Sequence, residues 1–498
     1  MGKRIFEALV TAVLLAALLA GCTGYGDHSV YRDSATAAEN LALGRNALAF
    51  TESGNGKNAS KAVDGNEGTG CFMTGTSGTI EVDLGEKQTF NTVVLRERGW
   101  NVRYFHLEVL NEKDQWETVY QAERIEGIRY CALEAPVTTS KLRLVVDRSN
   151  QAFTIAEITV TNEQAVRDRE DFFVTAYVRT EFMQSGELFD PASSNYLEPE
   201  YFNSVNEINF LGSVSLNADG TISVTKSTQD AEGKAVSVPS SAEELAQAVA
   251  RMRAHFGDRD VQLTMTVNTA NHDEAYQAMS DYKDEQVKNT MAFLEATGFD
   301  GVSYDWERPQ NQDQFNAFSD YLIALRPELT AKGKRLTLAW AAWGVNMKEE
   351  AVKTADAIEI MSYDLFDQYG NQASFMESTV QAVDYFLDLG YAPEQLHIGL
   401  PYYGRPDNGA EEWPLYDNMN YHFGKYADAD TDYLAEGLSY FNSYQTVADK
   451  TAYAISKGLG GIMVFRLELD RPYKDEDCLT KSIENMLDQR TVKEGAKA

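Results

Sequence analysis

The last two thirds of the chain carries a repeat that leaves few folds open to it. Between residues 168 and 490, eight apolar segments alternate with stretches of helical periodicity. The segments are 172–179, 207–216, 261–267, 298–307, 335–343, 357–365, 395–403 and 460–467. The clearest helical runs are 242–255, 284–297, 313–325 and 378–389, with a last one around 446–457. Apolar strands joined by helices build parallel sheets, and eight such units predict a (β/α)8 TIM barrel over 168–490. In that architecture reactive groups collect at the C-terminal ends of the strands. Polar residues that end an apolar strand are therefore the first candidates for chemistry.

The fourth segment has such an ending: Phe299-Asp300-Gly301-Val302-Ser303-Tyr304-Asp305-Trp306-Glu307-Arg308-Pro309. Side chains alternate along a strand, so Ser303, Asp305 and Glu307 share one face at steps of about 6.6 Å. Two neighbouring carboxyls oppose each other's ionisation. One is expected to hold its proton and serve as general acid while the other stays anionic. The bland alternative is a strand end tied up in salt bridges, but two acids on an inward face are costly without a role. Trp306 alternates away from them and is expected to pack against helices. In the sixth segment Glu359 shares parity with Met361 and Tyr363, points inward, and is expected to be a buried, hydrogen-bonded structural group. At other strand ends, Tyr177 and Tyr402 are candidate walls of a cleft, and Trp340 and Trp343 candidate linings. Trp413 lies in the loop after the seventh strand, where it is either a substrate contact or a surface anchor.

Residues 40–163 read differently. Segments 79–84, 92–95, 105–110 and 141–146 alternate with period two, and helical periodicity is weak. This predicts a β-sandwich. Trp100 and Trp116 are either its core or part of a sugar site, with core the expectation. Ahead of it, Lys3 and Arg4 precede an apolar run over 8–20 that ends Leu19-Ala20-Gly21-Cys22. The run is too short to span a bilayer but suits a signal peptide. The polar residues that follow read as a tether, and residues from Arg490 on as a frayed tail.

Composition bounds the function. The net charge of −32 disfavours a nucleic-acid partner or an anionic lipid surface. Four cysteines make no disulfide scaffold, although in an exported protein Cys71 and Cys131 are a possible pair. Aromatic residues at 11% exceed what a core alone demands, so sugar stacking competes with packing as their use.

Several motifs resemble known families. The fourth strand is similar to the Asp-Gly-x-Asp-x-Asp-x-Glu signature of family 18 glycoside hydrolases, the chitinase family. Met361-Ser362-Tyr363-Asp364, Gly399-Leu400-Pro401-Tyr402-Tyr403-Gly404-Arg405 and Gly458-Leu459-Gly460-Gly461-Ile462-Met463 resemble its later elements in order. The resemblance implies substrate-assisted, retaining hydrolysis at N-acetylglucosamine, without a cofactor for catalysis. Glu307 is then acid and base, Asp305 orients the substrate acetamide, and Tyr363 donates a hydrogen bond to its oxygen with Asp364 nearby. Two departures stand out. Ser303 replaces the middle Asp, which removes a negative neighbour from Asp305 and is expected to lower its pKa. Phe465 replaces a Trp at the floor of the subsite and keeps an apolar platform. Chitin-type oligosaccharides rank first as substrate. The chitobiose core of N-glycans ranks second, and a weakly active glycan-binding protein is the third reading. Few residues separate Arg405 from the last helix, so a comparatively open groove is expected.

The sandwich motifs Asn40-Leu41-Ala42, Lys61-Ala62-Val63-Asp64-Gly65-Asn66, Ile80-Glu81-Val82-Asp83-Leu84-Gly85 and Ile155-Ala156-Glu157-Ile158 resemble the discoidin, or coagulation-factor C-type, family, a galactose-binding-like jelly roll. That resemblance implies carbohydrate binding and, in some members, a structural Ca²⁺, for which Asp64, Thr69 and Glu157 are the candidate ligands. Alternatively Asp64 only caps a turn. Cys71 stands where that family usually has Trp. Cys22 and the residues before it resemble the lipobox of bacterial lipoproteins. This implies a signal peptide over 1–21, acylation of Cys22, a tether over 22–39 and a place on the bacterial cell surface or envelope, anchored to the bilayer by acyl chains. A monomer is expected.

Overall fold

The computed structural model describes residues 38–51, 54–164, 168–230, 232, 234–269, 271–366, 372–406, 431–434 and 437–491. Cys22, Trp413, most of the segment behind the open-groove expectation and the last seven residues of the tail lie outside them.

The first part is an antiparallel sandwich. Its centre is the long strand Gly78–Arg98, which pairs with Ile128–Ser149 and with Phe153–Thr161. Val102–Leu110 and Trp116–Ala122 extend one edge, and Asn46–Thr51 pairs along Gly78–Arg98. The period-two pattern decides which side chains go inside. Ile80, Val82 and Leu84 are buried while the residues between them are partly exposed. Cys71 and Cys131 are both buried in this core as free thiols, so the possible pairing is not made. Neither tryptophan fills the core. Trp116 is half-buried beneath the Arg143 guanidinium at 4.3 Å, and Trp100 packs outward on the second part.

The second part is a closed parallel barrel. Its strands are β1 (Phe173–Arg179), β2 (Glu207–Leu211), β3 (Gln262–Asn268), β4 (Gly301–Asp305), β5 (Arg335–Ala341), β6 (Ala357–Met361), β7 (Leu396–Pro401) and β8 (Gly461–Phe465). Each pairs in parallel with the next, and β8 returns to pair with β1. The surrounding helices include α1 (Ala242–Phe256), α2 (His272–Ser280), α3 (Lys283–Thr297), α4 (Gln312–Ala331), α5 (Met376–Asp388), α6 (Tyr444–Ser456) and α7 (Leu479–Arg490). Sequence periodicity anticipates all eight strands and five of these helices. It misses α2 and α7, and the antiparallel extension Val214–Leu216, Ile222–Gln229 and Ala235–Pro239 after β2.

The two parts are tied by buried polar contacts. Asp449 on α6 accepts from Tyr120 (2.6 Å), from the Ala132 amide (3.0 Å) and, as an ion pair, from Arg129 (3.0 Å). Breaking one partner of such a buried pair costs about 3–5 kcal/mol. Arg490, expected in a frayed tail, is instead buried at the end of α7. It donates to Thr92 Oγ1 (3.0 Å) and to the Asn91 carbonyl (2.6 Å). A guanidinium offers five donors, and the middle of the long strand Gly78–Arg98 supplies the acceptors that hold this terminus in place.

Candidate active site at the mouth of the barrel

Strand alternation builds the site. In β4, Val302 and Tyr304 face the helices, while Ser303 and Asp305 face the axis. Trp306 is buried on the helix side, packed on Phe318 and donating to His272 Nδ1 at 2.8 Å, as expected. Glu307 lies just beyond the strand and is exposed.

Around this pair stand four aromatic rings from three strand ends and the loop after β6. The ring centroids of Tyr177 and Phe465 are 5.8 Å apart, those of Tyr363 and Phe465 5.9 Å, and Tyr403 stands 6.2 Å from both Tyr363 and Phe465. Gly399 makes room for them, since a Cβ there would lie 2.6 Å from Tyr363 Cε1. Asp364 adopts φ +59°, a left-handed conformation that Asp tolerates better than most non-glycine residues. Arg405 grips its carboxylate with two donors, Nε reaching Oδ1 at 2.6 Å. Beneath the pair, Tyr177 donates to Glu359 and lies 3.4 Å from Ser303 Oγ. Glu359 also accepts from Asn209 and is fully buried, the structural role expected of it.

Electrostatics differ from the expectation. Asp305 does not fall. Burial, and then the charge of Glu307, push its pKa up to about 7. Loss of the middle carboxylate at Ser303 is outweighed because the water that would stabilise the anion is missing as well. The raised pKa thus falls on Asp305, where the sequence reading assigns it to the acid. Burial, and then the Glu207 charge, push Glu359 up to about 8. One buried oxygen of Asp305, Oδ1, has no hydrogen-bond partner among the described residues.

Two predicted linings are elsewhere. Trp340 is 1% exposed on the helix side of β5, against Phe315 and Phe318 of α4. The inward positions of β5 are Thr337, Ala339 and Ala341, so alternation turns the indole away. Tyr402 is fully buried, with its hydroxyl 3.2 Å from Thr480 on α7. Its neighbour Tyr403 is the ring that enters the site, a position that parity with Gly399 and Pro401 identifies. Trp343 is 47% exposed in the segment after β5, at the same end of the barrel.

In the sandwich, Thr69 Oγ1 donates to both oxygens of Asp64 (3.0 and 2.9 Å), and Gly65 donates to Glu157 (3.3 and 3.2 Å). Asp64 also accepts from the Asn66 amide at 3.0 Å, the turn-capping role. Burial pushes Glu157 up to about 7, with the charges of Asp64 and Glu67 adding to it. Lys61 sits 2.9 Å from Asp64 Oδ2. The donors are hard oxygens and the cluster carries excess negative charge, so their chemistry fits Ca²⁺. Among the described residues no three His, Cys, Asp or Glu side chains converge as a ligand set, so an ion here would lean on Thr69 and carbonyl oxygens.

Residues 175–470 match the profile of "Glycosyl hydrolases family 18", and residues 37–159 that of the "F5/8 type C domain". Chitotriosidase-1 of Mus musculus is 27% identical over 255 residues, covering 39% of this chain and 54% of the mouse protein. Endochitinase 1 of Metarhizium anisopliae is 24% identical over 233 residues, covering 37% of this chain and 55% of the fungal one. The chain spans about half the length of these curated relatives. Among solved structures, the GH18 chitinase ChiB from the chitin utilization locus of Flavobacterium johnsoniae aligns with TM-score 0.50 at 19% identity, over 67% of this chain and 98% of its own. A chitinase from Bacteroides thetaiotaomicron aligns with TM-score 0.50 at 20% identity, over 64% and 96%. At such identities the likeness speaks for the fold.

Proposed function

The chain belongs to glycosyl hydrolase family 18, whose profile covers more than half of it, and from that premise we propose a chitinase-like hydrolase that cleaves β-1,4 bonds after N-acetylglucosamine. The observation that carries this reading is the buried, unpartnered Oδ1 of Asp305, a carboxyl that stands beside Glu307 and close to Tyr177 and Tyr363 of the four-ring cluster. An unpaired buried acceptor is expensive to leave unmade. An acetamide N–H supplies the missing donor, and pyranose faces suit the rings.

In the mechanism we propose, Glu307 protonates the glycosidic oxygen. The acetamide oxygen of the bound sugar attacks its own anomeric carbon, and the bond to the leaving sugar breaks. Asp305 accepts the acetamide N–H and balances the oxazolinium charge, which favours its anion at that moment. Tyr363 donates to the acetamide oxygen, and Phe465 is the apolar floor. Glu307 then takes a proton from water, which opens the oxazolinium with net retention. Family 18 chitinases need no cofactor for these steps.

We extend the proposal to the rest of the chain. The sandwich binds glycan and holds Ca²⁺ at Asp64, Thr69 and Glu157. Cys22 is acylated and tethers the protein to the cell envelope, which incorporation of a labelled fatty acid, lost in Cys22→Ala, would establish.

The test of function is product analysis. The chain from residue 23 onward is incubated with chitooligosaccharides and with a high-mannose glycoprotein, and products are read by mass spectrometry. Cleavage of the former is expected. Release of the N-glycan alone would move the assignment to an endo-β-N-acetylglucosaminidase. Tight binding with no cleavage of either would leave a glycan-binding protein.

A further inference from the structure

On the reading that the β4 mouth is catalytic, we propose that Lys450 is a positioning residue. It acts through Ser374 and Ser362 on the peptide that leads into Tyr363, and the sandwich anchors the helix from which it reaches.

Lys450 on α6 is fully buried, an expensive place for an ammonium unless its N–H groups are filled. It donates to the Ser374 carbonyl (2.8 Å), to Ser374 Oγ (2.7 Å) and to Asn442 Oδ1 (2.9 Å). The Asn442 amide donates back to the Ser374 carbonyl at 2.9 Å. Two side chains thus converge on one residue of the loop between β6 and α5.

The direction of the next bond follows from the chemistry of the donor. An ammonium has protons only, so Ser374 Oγ must accept from it. The hydroxyl proton is then committed outward, and Ser374 Oγ donates to the Ser362 carbonyl at 2.6 Å. That carbonyl belongs to the peptide joining Ser362 to Tyr363. From the other side Ser362 Oγ donates to the Gly399 carbonyl at 3.0 Å. The peptide ahead of Tyr363 is thus held at its carbonyl, Ser362 is held again through its side chain, and Asp364 with its left-handed backbone follows Tyr363 directly.

The turn of α6 just before Lys450 is held by the sandwich. Thr446 accepts from Arg129 (3.0 Å), and Asp449, next to Lys450, is the ion-pair partner of the same guanidinium. At the loop end, Phe375, next to Ser374, meets the Trp100 ring edge-on at 5.2 Å. Both ends of the relay therefore rest on the sandwich, which gives this domain a mechanical role besides any ligand of its own.

The test uses the full chain with Lys450→Met, which keeps length and removes the donors. Hydrogen exchange is expected to quicken at the amides of 362–366 while β3 and β4 keep their protection. With chitooligosaccharide, kcat falls about 10-fold and KM stays within about twofold. Ser374→Ala should give the same pattern, Ser374→Thr should restore it, and Trp100→Ala should give a weaker version from across the domain boundary. Unchanged exchange at 362–366, or loosening spread evenly over the barrel, would overturn the proposal. The exchange readout stands even if no glycan is hydrolysed, so failure of the relay and failure of the substrate assignment are told apart.

Discussion

Two acid clusters in this molecule, the Asp64 loop of the sandwich and the Asp305–Glu307 pair of the barrel, hold the same groups in different balance. Each contains a buried carboxyl pushed up to about 7, Glu157 in one and Asp305 in the other. In the sandwich the chain supplies its own compensation. Burial raises Asp64, but Lys61, Thr69 and the Asn66 amide together bring it below its ordinary value. Arg96 pairs with Glu67 at 2.5 Å. At the barrel mouth Asp305 keeps an unpartnered oxygen, and its chief charged influence is another acid. The sandwich cluster meets its charge with Lys61, Thr69 and a backbone amide that a bound cation would replace, whereas the barrel pair leaves an acceptor open for what it binds.

The largest expected break in this comparison is catalytic. Glu307→Gln and Asp305→Asn should each lower kcat on chitooligosaccharide by about 10²-fold or more with a small change in KM, and Asp64→Ala should leave both unchanged in steady-state kinetics. Equal losses from the two clusters would erase the distinction.

Next is the dependence of stability on pH. Asp305 and Glu359 hold protons in the native state that the unfolded chain releases near pH 4, so the stability these two groups contribute is full below that pH and is lost as pH rises through 7 and 8. The thermal midpoint should drop by about 5 °C between pH 6 and 9 in calorimetry, and Glu359→Gln should flatten the upper part of the drop.

A smaller effect tests the sandwich. Displacing the half-exposed Lys61 costs little. Millimolar Ca²⁺ should therefore raise the midpoint by about 2–4 °C, an effect lost in Glu157→Gln and without influence on kcat. The smallest is Asp64→Asn. It should lower the midpoint by about 1–2 °C at neutral pH, and the difference should vanish on acidification through the depressed Asp64 titration, where the wild-type carboxylate is protonated too.

Much of this was legible in the sequence because it is local. Apolar runs place all eight barrel strands, and alternation puts Ser303 and Asp305 inward and Trp306 outward. The same rule, applied to β5 and to the end of β7, turns Trp340 and Tyr402 away from the site and brings Tyr403 in. Those errors came from reading aromatic residues at strand ends without their parity. Other features depend on partners far along the chain. Arg490 looked like tail because its acceptors, Asn91 and Thr92, lie in the sandwich. The Arg129–Asp449 pair and the Lys450 relay leave no local pattern. The rise of Asp305 reflects burial, a property of the folded site, where sequence reveals only its neighbours.

The most direct test of the central claim is to follow N-acetylchitohexaose by NMR with the wild-type chain and with Glu307→Gln. Hydrolysis is expected with the β-anomer as first-formed product, lost in the variant, and cellohexaose is left untouched because it has no acetamide to satisfy Asp305. First formation of the α-anomer, undiminished turnover by Glu307→Gln, or cleavage of cellohexaose at a similar rate would contradict that claim.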